Sequence, residues 1–137
     1  MVNGIFASSS IGALEQVAAF AEARHGLLAG NIANLDTPGY KTRDLSVENF
    51  QKSLREALEQ QKAPPQYVSP GMIPSGSGDP MHAVKDATRN ILFHDQSDVG
   101  LEEQVTELSN NQFMHSMAVA LLSQQFRQLE TAISERI

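Results

Sequence analysis

The chain contains no cysteine and no tryptophan. The first absence excludes disulfides, thiolate nucleophiles and cysteine-bound metals, and removes any redox clue to compartment. Aromatic residues are scarce, with six Phe and two Tyr, so the apolar content rests on Ala, Leu, Val and Ile, which suits closely packed helices. No run approaches about eighteen consecutive apolar residues, so no membrane-spanning helix is expected. Basic residues are in the minority. A net charge of −6 over 137 residues argues against nucleic acid and against an anionic membrane surface as partners.

Catalytic and metal-binding patterns are missing as well. His25, His82, His94 and His115 have no helical metal-pair spacing. The stretch "DQSDVGLEEQVT" fails as a calcium loop, because Val99 and Thr106 occupy positions that require oxygen ligands. "SGSGD" lacks the lysine and spacing of a phosphate loop. No nucleophile elbow or paired-acid motif stands out, and Glu102, Glu103 and Glu107 read as a solvated face. Neither a cofactor, a metal nor a small-molecule substrate is therefore expected, and an enzyme is a poor fit.

What is present is helical periodicity, concentrated at the two ends. Ile11, Leu14, Ala18, Ala21, His25, Leu28, Ile32 and Leu35 step by three and four, which predicts a helix with a heptad seam and Ser10 as its N-cap. Leu101, Val105, Leu108, Gln112, His115, Val119, Leu122, Phe126, Leu129 and Ile133 repeat the pattern over a longer span, with Asp98 as candidate N-cap. Between them, residues 46–62 predict a short amphipathic helix capped by Ser46, with Phe50, Leu54 and Leu58 on one face. The stretch "APPQYVSPGMIPSGSGDP" holds five of the six prolines and reads as a flexible or extended loop. The following "MHAVKDATRNILFHDQSD" is compatible with one short helix or strand.

The expected fold is all-α. Long N- and C-terminal helices pair as an antiparallel coiled coil, joined by a flexible Pro/Gly-rich middle and one short helix. The expected division is 1–36 for the first helix, 37–97 for the middle and 98–137 for the last helix. The expected packing seam comprises Leu14, Ala21, Leu28 and Ile32 against Leu101, Val105, Leu108, Val119, Leu122, Phe126 and Leu129.

Each long helix carries a second stripe. Ala19, Ala23, Gly26, Gly30 and Ala33 form one of small residues, with Gly26 and Gly30 placed for close approach of a neighbouring backbone. Met114, Ala118, Leu121, Gln125, Gln128 and Ala132 form the other. A single helix pair covers one seam on each member, so these stripes predict lateral packing against other copies or related subunits. A lone three-helix bundle, with Phe50 to Leu58 covering the spare stripe, competes with that reading.

One junction is denser than a helix stop requires. In "NIANLDTPGYK", Asn31 and Asn34 stand at the helix end, Thr37 precedes proline, and Pro38 and Gly39 match the central positions of a type II turn. Asn31, Ile32, Ala33, Asn34, Thr37, Gly39 and Tyr40 resemble the Asn-hydrophobic-Ala-Asn-x-x-Thr-x-Gly-Tyr pattern of bacterial flagellar rod and hook-type axial proteins. With Pro38, "KTRDLSVENF" and the ending "DVGLEEQVTELSNNQFMHSMAVALLSQQFRQLETAI", the chain is most similar to the proximal rod family, FlgB.

The resemblance implies a structural subunit whose terminal helices polymerise in the innermost layer of a tube. It implies export by the flagellar type III apparatus without a cleaved signal, and residence in the basal-body rod across the periplasmic space. Implied partners are other rod subunits and the chain itself, the base-ring adaptor protein and the flagellar type III export gate. Another short axial rod subunit, or a cytosolic helical binding module or export chaperone, are the alternatives.

Overall fold

In the computed structural model, residues 10–62, 81–85, 92–94 and 100–134 are described. Their order is α1 (Ile11–Ala33), β1 (Arg43–Leu45), α2 (Val47–Lys62), a helical turn at residues 81–85, β2 (Leu92–His94) and α3 (Leu101–Ser134). The fold is mostly helical, as expected. Its one departure is a two-stranded antiparallel ladder, which pairs Arg43 with His94, Asp44 with Phe93 and Leu45 with Leu92. The proline-rich loop and the Asp98 cap lie outside the described residues.

α1 begins without the expected cap. Ser10 already has helical dihedrals, its carbonyl accepts from the Leu14 amide at 3.0 Å, and its side chain makes no capping bond. A residue turned into the helix cannot aim its hydroxyl back at the free amides of the first turn. Ser46 does cap α2, its Oγ accepting from the Asn49 amide at 3.3 Å. α3 opens on the Gly100 carbonyl, which accepts from the amides of Glu103 and Gln104. Glu102 and Glu103 lie in its first turn, where they favour the positive end of the helix dipole. At 34 residues α3 is about 50 Å long. No described helix is both long and apolar enough to cross a membrane.

The hydrophobic core lies on one side of α1. Phe20, Leu45, Phe50, Ala57, Met81 and Val84 form it, and Val17, Leu27, Leu54, Leu58 and Met114 pack around it. Phe20 and Phe50 stack with ring centroids 4.1 Å apart. Such a pair contributes about 0.5–1.5 kcal/mol beyond its burial. α2 therefore covers the Val17–Phe20–Leu27 side of α1. It does not cover the small-residue stripe, since Ala19, Ala23, Gly26 and Ala33 remain exposed.

The first and last helices pack against each other. Contacts climb one helix as they descend the other: Asn31 meets Gln104, Arg24 meets Glu107, and Asn111 meets Ala21. The pair is thus antiparallel. Its contact line differs from the expected seam by one column of residues. On α1, Ala21 and Leu28 are buried, Leu14 and Ile32 are half-buried, and His25 and Leu35 are exposed. On α3, the buried residues are Gln104, Asn111 and Ala118, which recur every seven positions. Leu108, Leu122 and Leu129 flank them half-buried, while Leu101, Val105, Val119 and Phe126 are exposed.

The reason is electrostatic. Arg24 and Asn31 are buried on α1, and burial of such groups is tolerated only with polar partners. Glu107 and Gln104 supply such partners from one face of α3, and Asn111 on the same face donates to the Ala21 carbonyl. Satisfying them turns α3 away from the orientation that its apolar repeat alone would select.

Candidate assembly site

The motif junction and the polar helix contact form one network. Asn31, only 1% exposed, is its hub. Its Nδ2 donates to the Arg43 carbonyl at 2.7 Å and to Gln104 Oε1 at 3.2 Å. Its Oδ1 accepts from the Arg43 amide at 3.1 Å and from the Tyr40 hydroxyl at 3.2 Å. One amide thereby ties the end of α1 to the strand that follows it and to the start of α3. Asn34 works locally, its Nδ2 donating to the Gly30 carbonyl at 2.8 Å as the helix unwinds.

The turn between these two asparagines and β1 has the expected form. Gly39 is at φ +78°, and the Tyr40 amide donates to the Thr37 carbonyl at 3.1 Å, which closes a four-residue turn with Pro38 and Gly39 at its centre. A positive φ at the second central position is the requirement of a type II turn, and glycine meets it without steric cost. Ala33, Thr37, Pro38 and Gly39 are exposed, Ile32, Asn34 and Tyr40 half-buried. The motif is therefore two-sided. Its asparagine and tyrosine act inside the chain, and the crest of its turn faces solvent.

Further along the pair, the buried Arg24 guanidinium meets two partly exposed carboxylates. Arg24 Nε and Nη2 donate to the two oxygens of Asp44 at 2.8 and 2.6 Å, a bidentate contact, and Nη2 also reaches Glu107 Oε2 at 2.8 Å. Asp44 Oδ1 also accepts from the Leu45 amide at 2.7 Å. The hydrogen bonds that Arg24 donates to Asp44 raise the guanidinium pKa above its ordinary value; burial opposes this, and Glu107 adds to the rise. A raised basic pKa stabilises the fold fully at all pH values below the unfolded value, and is lost only as pH climbs past the folded one. Arg24 is thus charged throughout the neutral range. A cleft of about 270 Å³ opens over this network, lined by Arg24, Asn31, Arg43, Asp44, Gln104 and Glu107 among others.

Arg24, Asp44, Gln104, Glu107 and Asn111 were not expected among the site residues. Glu107 in particular leaves the solvated face assigned to it, while Glu102 and Glu103 stay exposed. A seven-residue spacing was the available signal. Arg24 and Asn31, like Gln104 and Asn111, stand one heptad apart on helices that are otherwise apolar along that side. His25 is exposed and His115 half-buried, and no group of three or more metal-ligating residues occurs among the described residues.

Several large apolar side chains of α3 are exposed. Phe113 is 72% exposed and Ile133 71%, and Leu101, Val105, Met117, Val119, Leu121 and Phe126 join them. On α1, a methyl group placed on Gly26 or Gly30 would meet no other atom of the chain within 4 Å. The close approach expected at these glycines is thus not made within the chain.

The described residues thus combine an antiparallel pair of long helices, a turn motif with a buried asparagine and an exposed crest, and exposed apolar side chains on α3. The chain is 24% identical to the flagellar basal body rod protein FlgB of Bacillus subtilis over 127 residues, 93% of this chain and 95% of the relative. It is 27% identical to the protein of that name from Escherichia coli over 111 residues, 76% and 78% of the two chains. The Yersinia enterocolitica protein is 25% identical over 119 residues, covering 82% and 84%. These three relatives, each 24–27% identical to the chain, are all flagellar basal body rod proteins named FlgB. No family model and no solved structure matches it.

Proposed function

We propose that this chain is a structural, non-enzymatic subunit of the bacterial flagellar basal body, building the proximal rod by helix-mediated polymerisation for flagellum-dependent motility. The observation that carries the reading is the open apolar flank of α3, in a chain that aligns with rod proteins over most of its length. Exposed apolar surface of this extent in a water-soluble fold marks an interaction surface. Full burial of a Phe, Leu or Ile side chain contributes about 1.5–3 kcal/mol, so the exposed side chains amount to a large driving force for association.

In this reading, residues 1–36 and 98–137 form the axial core and pair as a coiled coil in the assembled rod, while 37–97 form the outer segment. Val105, Val119 and Phe126 face helices of neighbouring subunits. The Gly26 and Gly30 stripe admits a neighbouring backbone, and the crest at Pro38 and Gly39 meets the adjacent copy. Partners are other rod subunits and the chain itself, with the base-ring adaptor and the type III export gate at the lower end. The subunit leaves the cell without a cleaved signal and resides in the rod in the periplasmic space.

The test is Phe126→Glu combined with Ile133→Glu. The expected result is a monomer with unchanged helicity and no incorporation into purified basal bodies. Motile cells whose complete rods contain only the variant would refute the proposal.

A further inference from the structure

We propose that the register of the α1–α3 pair is selected by its buried polar residues, the Arg24–Glu107 ion pair foremost, and not by apolar packing. This goes beyond the role in the rod and stands whether or not the chain assembles.

The leucine repeats alone discriminate weakly between registers. Leu101, Leu108, Leu122 and Leu129 repeat at multiples of seven on α3, and Leu14, Ala21 and Leu28 do so on α1. Sliding one helix by a heptad, about 10 Å, lays leucine on leucine again along most of each column, with His115 and Ala21 the exceptions.

The polar residues are not equivalent after the slide. In the observed register Arg24 meets Glu107, Asn31 meets Gln104 and Asn111 meets Ala21. A slide in one direction sets Arg24 opposite Met114, which packs against the core, so the guanidinium keeps Asp44 and loses Glu107. Asn111 then loses the Ala21 carbonyl. A slide in the other direction sets Arg24 opposite Gly100 and carries Asn31 past the start of α3. Arg24 keeps its bidentate contact with Asp44, but a buried guanidinium that loses its second carboxylate and buried amides that lose their partners are penalised more than a shifted leucine.

Asn111 supplies an independent observation. It is 1% exposed, its Nδ2 donates to the Ala21 carbonyl at 2.7 Å, and its Oδ1 has no partner. An orphaned buried carbonyl oxygen detracts from stability. Asparagine at an interior heptad position is the pattern by which helix pairs exchange stability for a unique register.

Because the chain has no cysteine, introduced pairs report register without background. Leu14 and Ala118 stand one heptad from the Ala21–Asn111 contact, so Leu14→Cys with Ala118→Cys reads the observed register. Leu14→Cys with Gln125→Cys reads the slipped one. In the otherwise unaltered full chain, at a dilution where it is monomeric, only the first pair should form an intrachain disulfide on mild oxidation. Exchanging Glu107→Met and Met114→Glu moves the carboxylate one heptad and should raise the slipped-to-native crosslink ratio at least about tenfold. A dominant native crosslink in that exchange variant overturns the proposal. Should the exchange variant fail to fold, Glu107→Met combined with Asn111→Leu decides. Its expected result is both crosslinks, and the native crosslink alone refutes the idea.

Discussion

The two faces of α3 reverse the usual order of a soluble helix. Toward α1 it buries Gln104, Asn111 and Ala118, two amides and a methyl group. Away from α1 it exposes Val105, Val119, Phe126 and Ile133. In most soluble domains the apolar column turns inward and the amides face water. The inner face is instead organised by hydrogen bonds that admit few geometries, and the outer face retains the apolar surface. The same contrast divides the motif, where Asn31 is enclosed and the crest of the turn is open.

Substitutions on the two faces should separate these roles, and the largest loss of monomer stability should come from the inner hub. Asn31→Leu removes bonds to both backbone groups of Arg43, to Gln104 and to Tyr40, leaving several of those groups unsatisfied. A loss of about 3 kcal/mol is expected in urea unfolding, from unpaired buried groups at about 1–3 kcal/mol each with partial rescue by water. A loss below about 0.5 kcal/mol would mean that the network is incidental.

Gly39→Val tests the border between the faces. The side chain would meet no neighbour, but the φ of +78° strains any β-branched residue. A stability loss of about 1–2 kcal/mol is expected, with rod incorporation impaired while export continues. Normal assembly of this variant would reduce the turn to a helix stop.

The smallest stability effect belongs to the outer face. Val119→Ser should leave the monomer within about 0.5 kcal/mol of the parent, because the site is already in water. Its expected deficit is in basal-body incorporation. A destabilised monomer would show that this face is covered within the chain, and would end the comparison.

Much of the fold was legible because local chemistry dictates it. The three- and four-residue stepping produced α1 and α3. Ser46 and the apolar triplet Phe50, Leu54 and Leu58 placed α2. Pro38 and Gly39 specified their turn, since few residues tolerate those dihedrals. Ser10 was misread because a serine before a helix caps only if its own backbone is extended, and that depends on what precedes it. The seam was displaced by one column because periodicity ranks columns by apolarity and is blind to partners. Nothing local in Arg24 announces that Asp44 and Glu107 will enclose it. Those contacts span 20 and 83 residues of chain.

The sequence by itself determined the helices, the turn and the family pattern, because each follows from short-range sterics, spacing and residue type. Tertiary structure alone decided which column of α3 faces α1 and which faces outward. That choice depends on satisfying buried polar groups across the pair, a condition that exists only once distant segments meet.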